Sequence, residues 1–111
     1  MSSHLFVNET TPAGDYEAIT VSSTAVGFTA GKVAIAQSGG FTKRAVKALV
    51  TVESNPIRIR LDGTAPTASE GHLLNAGDSY LVEGEQNVSN FKMIRQIASD
   101  ATVRVTFFYN R

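Results

Sequence analysis

The chain has 111 residues, no cysteine, 42% hydrophobic residues and ten basic against ten acidic side chains. That length leaves room for one domain with its own core, and the apolar fraction excludes a mostly disordered chain. Without cysteine there can be no disulfide, thiolate nucleophile or Cys-based zinc site, and a zero net charge argues against a dedicated nucleic-acid binder.

Met1–Val7 has no basic run followed by a long apolar one. No stretch reaches the roughly 18 apolar residues of a membrane span, so no membrane contact is expected and the chain is expected to fold in the cytosol. Residues 1–15 lack periodicity and end in the turn formers Thr10 to Asp15, which predicts an N-terminal arm. The apolar triplet Leu5, Phe6 and Val7 makes that arm a candidate partner contact. Residues 16–111 are expected to form a single β-sandwich domain.

From Tyr16 to Ser22 β-branched residues predict a short strand. Glycines punctuate Thr24 to Ala36, favouring brief strands over a helix, because each internal Gly costs a helix about 1 kcal/mol relative to Ala. Ser38 to Lys43 reads as an exposed loop. Val46, Ala48, Val50 and Val52 then alternate with Lys47, Leu49, Thr51 and Glu53. Ser54-Asn55-Pro56 is expected to turn this strand into a hairpin with Ile57 to Leu61. In that second strand Ile57, Ile59 and Leu61 should face the core, leaving Arg58 and Arg60 for solvent or a partner.

Asp62 to Gly71 is too rich in Gly, Pro, Ser and Thr for a regular element and reads as a long loop. His72 to Leu74 should dock it back onto the core. Asn75 to Asp78 and Gly84 to Asn87 read as turns around a strand from Ser79 to Glu83. Val88 to Ile97 and Thr102 to Tyr109 supply the last two strands. The run Phe107-Phe108-Tyr109 gives the terminal strand bulk on both faces, so Phe108 is the first candidate for an intersubunit contact. Seven to eight short antiparallel strands with turns at about 8 to 12 residue spacing predict an all-β fold, a compact β-sandwich or jelly-roll-like barrel, without an amphipathic helix.

Charge is segregated along the chain. Residues 1–31 carry only the acids Glu9, Asp15 and Glu17, and residues 32–60 carry six bases against Glu53. Residues 61–90 hold Asp62, Glu70, Asp78, Glu83 and Glu85 with no base, and residues 91–111 hold four bases against Asp100. Neighbouring strands can pair these blocks within one fold, or patches of opposite sign can meet on neighbouring subunits.

Chemistry is sparse. His4 and His72 are the only histidines, and neither has a second His or a carboxylate at metal-ligand spacing, so no metal and no cofactor is expected. Leu74 to Gly84 has the turn chemistry of a cupin jelly roll but not the cupin histidines. The acids of residues 62–83 do not follow EF-hand spacing, and no nucleophile elbow or phosphate-binding loop is present. A catalytic reading would need a cleft that gathers Asp62, His72 and Asp78.

The run Val50-Thr51-Val52-Glu53, Pro56 to Thr67, Gly71 to Asp78, Asn90 to Arg95 and Ala101 to Phe107 resembles a group of small proteins encoded among tailed-bacteriophage structural genes. Ser23 to Thr29 is also similar to that group, so the likeness covers most of the chain, which departs from it in the extended loop near Ser38 to Thr42. The resemblance implies a non-enzymatic virion structural protein, assembled in the host cytoplasm. It would be a capsid decoration or cement protein bound to the major capsid protein or other virion proteins, and itself a homo-oligomer, with a trimer as the candidate stoichiometry. The alternatives are a tail, collar or baseplate component, or a module that binds a host surface protein or glycan.

Overall fold

The computed structural model describes residues 13–109. In chain order the elements are β1 (Ala13–Val21), α1 (Ala30–Val33), β2 (Ala34–Ala36), β3 (Thr42–Ser54), β4 (Ile57–Arg60), β5 (His72–Leu74), β6 (Ser79–Glu83), α2 (Glu85–Asn90), β7 (Lys92–Arg95) and β8 (Ala101–Tyr109). The fold is all-β, as the alternation requires, and every strand pairing is antiparallel.

Two sheets enclose the core. In the larger, β1, β8, β3 and β2 lie side by side and β6 joins β3 beyond β2; in the smaller, β4 lies between β5 and β7. Period-two alternation puts Val103, Val105, Phe107 and Tyr109 of β8 on the inner face with Ala48, Val50 and Val52 of β3. Ile57, Ile59 and Met93 answer them from the smaller sheet. Leu61 is only partly buried, because β4 ends at Arg60.

The expected hairpin between β3 and β4 does not form. β3 pairs with β2, β6 and β8, whereas β4 pairs with β5 and β7. Ser54-Asn55-Pro56 is a corner that carries the chain from one sheet to the other. Asn55 takes a left-handed φ of 62° and the β3–β8 register slips between Val52 and Ser54, so the strand bends out of its sheet. The corner is pinned from outside, as Asn55 Nδ2 donates to the Asp100 carbonyl at 2.9 Å and Gln96 N–H donates to the Pro56 carbonyl at 3.0 Å.

Other boundaries also move. β1 begins at Ala13, so Ala13 to Asp15, expected in the arm, belong to a strand paired with Phe107 and Phe108. The end of the expected Ser38–Lys43 loop is already β3, which starts at Thr42 and runs for 13 residues. A bulge between Ala45 and Lys47 buries both Ala45 and Ala48 and leaves Val46 half-buried, out of the row in which it was expected. Glu85 to Asn90, expected as a turn leading into a strand, is the short helix α2, with Glu85 in its first turn and Val88 its one buried residue. His72 to Leu74 docks as expected, as strand β5 on β4.

The connector between β1 and α1 lies close against β7. Val26 and Met93 exchange two backbone hydrogen bonds, at 2.9 and 2.8 Å, and the Cβ of any residue larger than glycine at 27 would sit 2.7 Å from the Phe91 carbonyl oxygen. Gly27→Ala should therefore cost about 1–3 kcal/mol in chemical denaturation. Gly31→Ala, with open space around it, should stay within about 0.5 kcal/mol of the parent. Equal effects at the two sites would contradict the close approach.

Candidate interaction surfaces

The sequence points to six contact residues, of which Leu5, Phe6 and Val7 lie outside the described residues. The other three are not the free surface groups expected. Phe108 sits on the outer face of the large sheet, opposite Ala13 and Lys47, and is only 8% exposed. The exposed aromatic of that face is Tyr16, at 49%, whose hydroxyl accepts a hydrogen bond from Arg104 at 2.7 Å.

Arg58 is half-buried and serves the fold. Its Nε donates to the Ala68 carbonyl at 3.0 Å and its Nη1 to the Gly71 carbonyl at 2.9 Å, which ties the 62–71 loop to the outer face of the small sheet. Arg60 is engaged by Asp62 through two contacts, Nε to Oδ1 at 3.1 Å and Nη2 to Oδ2 at 2.5 Å. That pairing, with a third hydrogen bond from the Thr64 N–H, holds the Asp62 carboxyl below its ordinary pKa.

Across the charge blocks Lys32 meets Asp15 at 3.1 Å and Arg60 meets Asp62, and Lys47 stands directly opposite Glu83 in the β3–β6 register; Arg95 meets Asp100 at 2.7 Å within one block. Glu17, facing inward, accepts from both the backbone N–H and the hydroxyl of Thr29, the residue before α1. Lys32 also accepts, through its backbone carbonyl, a hydrogen bond from the Tyr109 hydroxyl.

Two open clefts flank the 62–71 loop. One, of about 500 Å3, is lined by Arg60, Leu61, Asp62, Glu70, Gly71 and His72. It gathers two of the three residues a catalytic reading needs. Asp78 is elsewhere, its Oδ2 accepting the Asn75 N–H at 2.7 Å inside a turn. Among the described residues no group of three or more His, Asp or Glu side chains comes together as metal ligands. The second cleft, of about 290 Å3, has an apolar lining of Ala68, Ile94, Ile97 and Ala98, with Ser23, Arg95 and Gln96 completing it.

Four large apolar side chains stand exposed among the described residues: Tyr16, Phe41, Leu73 and Ile97. Phe41 is the most open at 74%. It follows Gly39 and Gly40, both at left-handed φ (85° and 84°), at the tip of the β2–β3 hairpin, which closes through Gln37 N–H to the Phe41 carbonyl at 2.7 Å. Sequence reasoning read this stretch as a loop and missed Phe41. The signal was an aromatic directly after two glycines, where nothing can cover it.

No family model, no curated protein and no solved structure matches the chain. What the residues define is a two-sheet β protein with an apolar hairpin tip and two clefts beside one latched loop.

Two outcomes follow from these contacts. Arg58→Met, which keeps the aliphatic stem, should cost about 1–3 kcal/mol and speed amide exchange across Thr64 to Ser69; unchanged loop protection would show that Arg58 is not the latch. Burial first, then the nearby Asp15 and Glu17, pushes the Tyr109 hydroxyl from 10.0 up to about 12. Because the folded-state value is raised, the contribution is complete below pH 10 and is lost as pH rises through about 12. Denaturation midpoints should fall over that window, and Tyr109→Phe should remove this part of the fall.

Proposed function

We propose that the protein is a non-enzymatic structural component of a tailed-bacteriophage virion. Its role is that of a capsid decoration or cement protein, which binds over the major capsid protein and reinforces the shell by non-covalent contacts. What supports this reading is the resemblance of the run Ala48 to Arg111, together with Ser23 to Thr29, to small proteins of tailed-bacteriophage structural gene clusters.

The geometry is compatible with such a role. The carboxylates Asp15, Asp62 and Asp100 are engaged by basic side chains, and Asp78 by a turn. Exposed apolar side chains stand on a hydrogen-bonded β scaffold. Apolar contacts would supply affinity and charged rims the register.

Deleting the gene from its phage and comparing purified particles tests the proposal. Particles lacking the protein should lose infectivity faster on heating and osmotic shock, and added purified protein should restore resistance. Equal resistance with and without the protein would refute the cementing role.

A further inference from the structure

Among the four aspartates and six asparagines of the chain, only Asp62 is followed by glycine. An Asp-Gly pair is the aspartyl sequence most prone to rearrange, because no side chain shields the glycine nitrogen from the carboxyl carbon of the residue before it. The loop needs both partners. Gly63 has a left-handed φ of 86°, which other residues adopt only with strain, and Asp62 is the counter-ion of Arg60. Both residues are exposed and Asp62 lines the open cleft of about 500 Å3, so water reaches them.

The rearrangement has two steps. The Gly63 nitrogen attacks Cγ of the protonated Asp62 carboxyl; an N–Cγ bond forms, and the carboxyl hydroxyl leaves as water with the amide proton. Water then opens the cyclic imide. Opening at the former main-chain carbonyl leaves Gly63 joined through Cγ, an isoaspartyl linkage that lengthens the main chain by one carbon. The water lost in the first step is returned in the second, so nothing else is consumed.

Arg60 opposes the first step in two ways. Its Nε holds Oδ1 at 3.1 Å and its Nη2 holds Oδ2 at 2.5 Å, while the Thr64 N–H donates to Oδ1 at 3.2 Å. With both oxygens tied, turning Cγ onto the glycine nitrogen breaks a paired contact. The same contacts favour the ionised carboxylate, a poor electrophile with no hydroxyl to expel. We propose that Asp62-Gly63 is a latent isoaspartate site that the Arg60 clamp keeps from closing. Arg60 is here a positioning residue. Conversion would lengthen the start of the 62–71 loop and draw the carboxylate off Arg60, reshaping a wall of the cleft. The site is independent of the shell-binding reading, because it needs no partner.

Peptide mapping of the full chain, which separates isoaspartyl from aspartyl peptides after weeks near neutral pH, tests the proposal. Native parent protein should convert Asp62 several-fold more slowly than the same protein in denaturant. Arg60→Met should raise the native rate several-fold, and in denaturant the two proteins should convert equally. Asp78-Ser79, whose carboxylate is held by the Asn75 N–H away from Arg60, is the internal control and should convert equally in both native proteins. Native conversion of Asp62 as fast as in denaturant, or unchanged by Arg60→Met, would overturn the proposal. Acceleration at Asp78 to the same degree would also overturn it, because it would assign the effect to general loosening.

Discussion

Three phenylalanines hold the two sheets in register. The Phe28 ring stacks on Phe91, centroids 4.5 Å apart and planes 2° from parallel, and meets Phe107 edge-on at 5.3 Å. Phe107 belongs to the central strand pair of the large sheet, Phe91 follows α2 and leads into β7, and Phe28 comes from the irregular connector before α1. Such pairs add about 0.5–1.5 kcal/mol beyond the area they bury. The larger consequence is positional, because the stack fixes the connector over the edge of β7. There Val26 completes the backbone bonding of Met93, and Ser22 accepts the Arg95 N–H at 3.1 Å. An edge that would otherwise invite a foreign strand is covered.

The β1 edge of the large sheet is managed differently. β1 has nine residues, but it bulges between Ala13 and Asp15 and turns Glu17 inward. A bulge and an inward charge both discourage edge-to-edge pairing.

Much of this was legible in the sequence. Ile57-Arg58-Ile59-Arg60 placed its isoleucines inside, and Ser79 to Glu83 is a strand with the expected limits. What alternation could not reveal is pairing. Period two assigns a face, not a neighbour, so β3 and β4 looked like a hairpin although the left-handed Asn55 sends them into different sheets. The short helix α2 escaped because a helix of six residues with one buried position shows no period. At the surface the difficulty was of another kind. Arg58 and Arg60 alternate like solvent-facing residues, and only the folded loop shows that their guanidinium groups are engaged by Ala68, Gly71 and Asp62. Phe108 read as an outward aromatic and proved to be covered.

Part of the charge segregation is matched inside the fold, as Lys32 of α1 with Asp15 and Lys47 opposite Glu83 illustrate. What remains for function is a rigid β scaffold with a small number of apolar contacts, a composition suited to a building block. Quantitative mass spectrometry of purified particles made from the genome that encodes the chain tests this account most directly. A decoration protein should be present in copy numbers comparable to the major capsid protein; its absence from the particle, or presence in only a few copies, would contradict it.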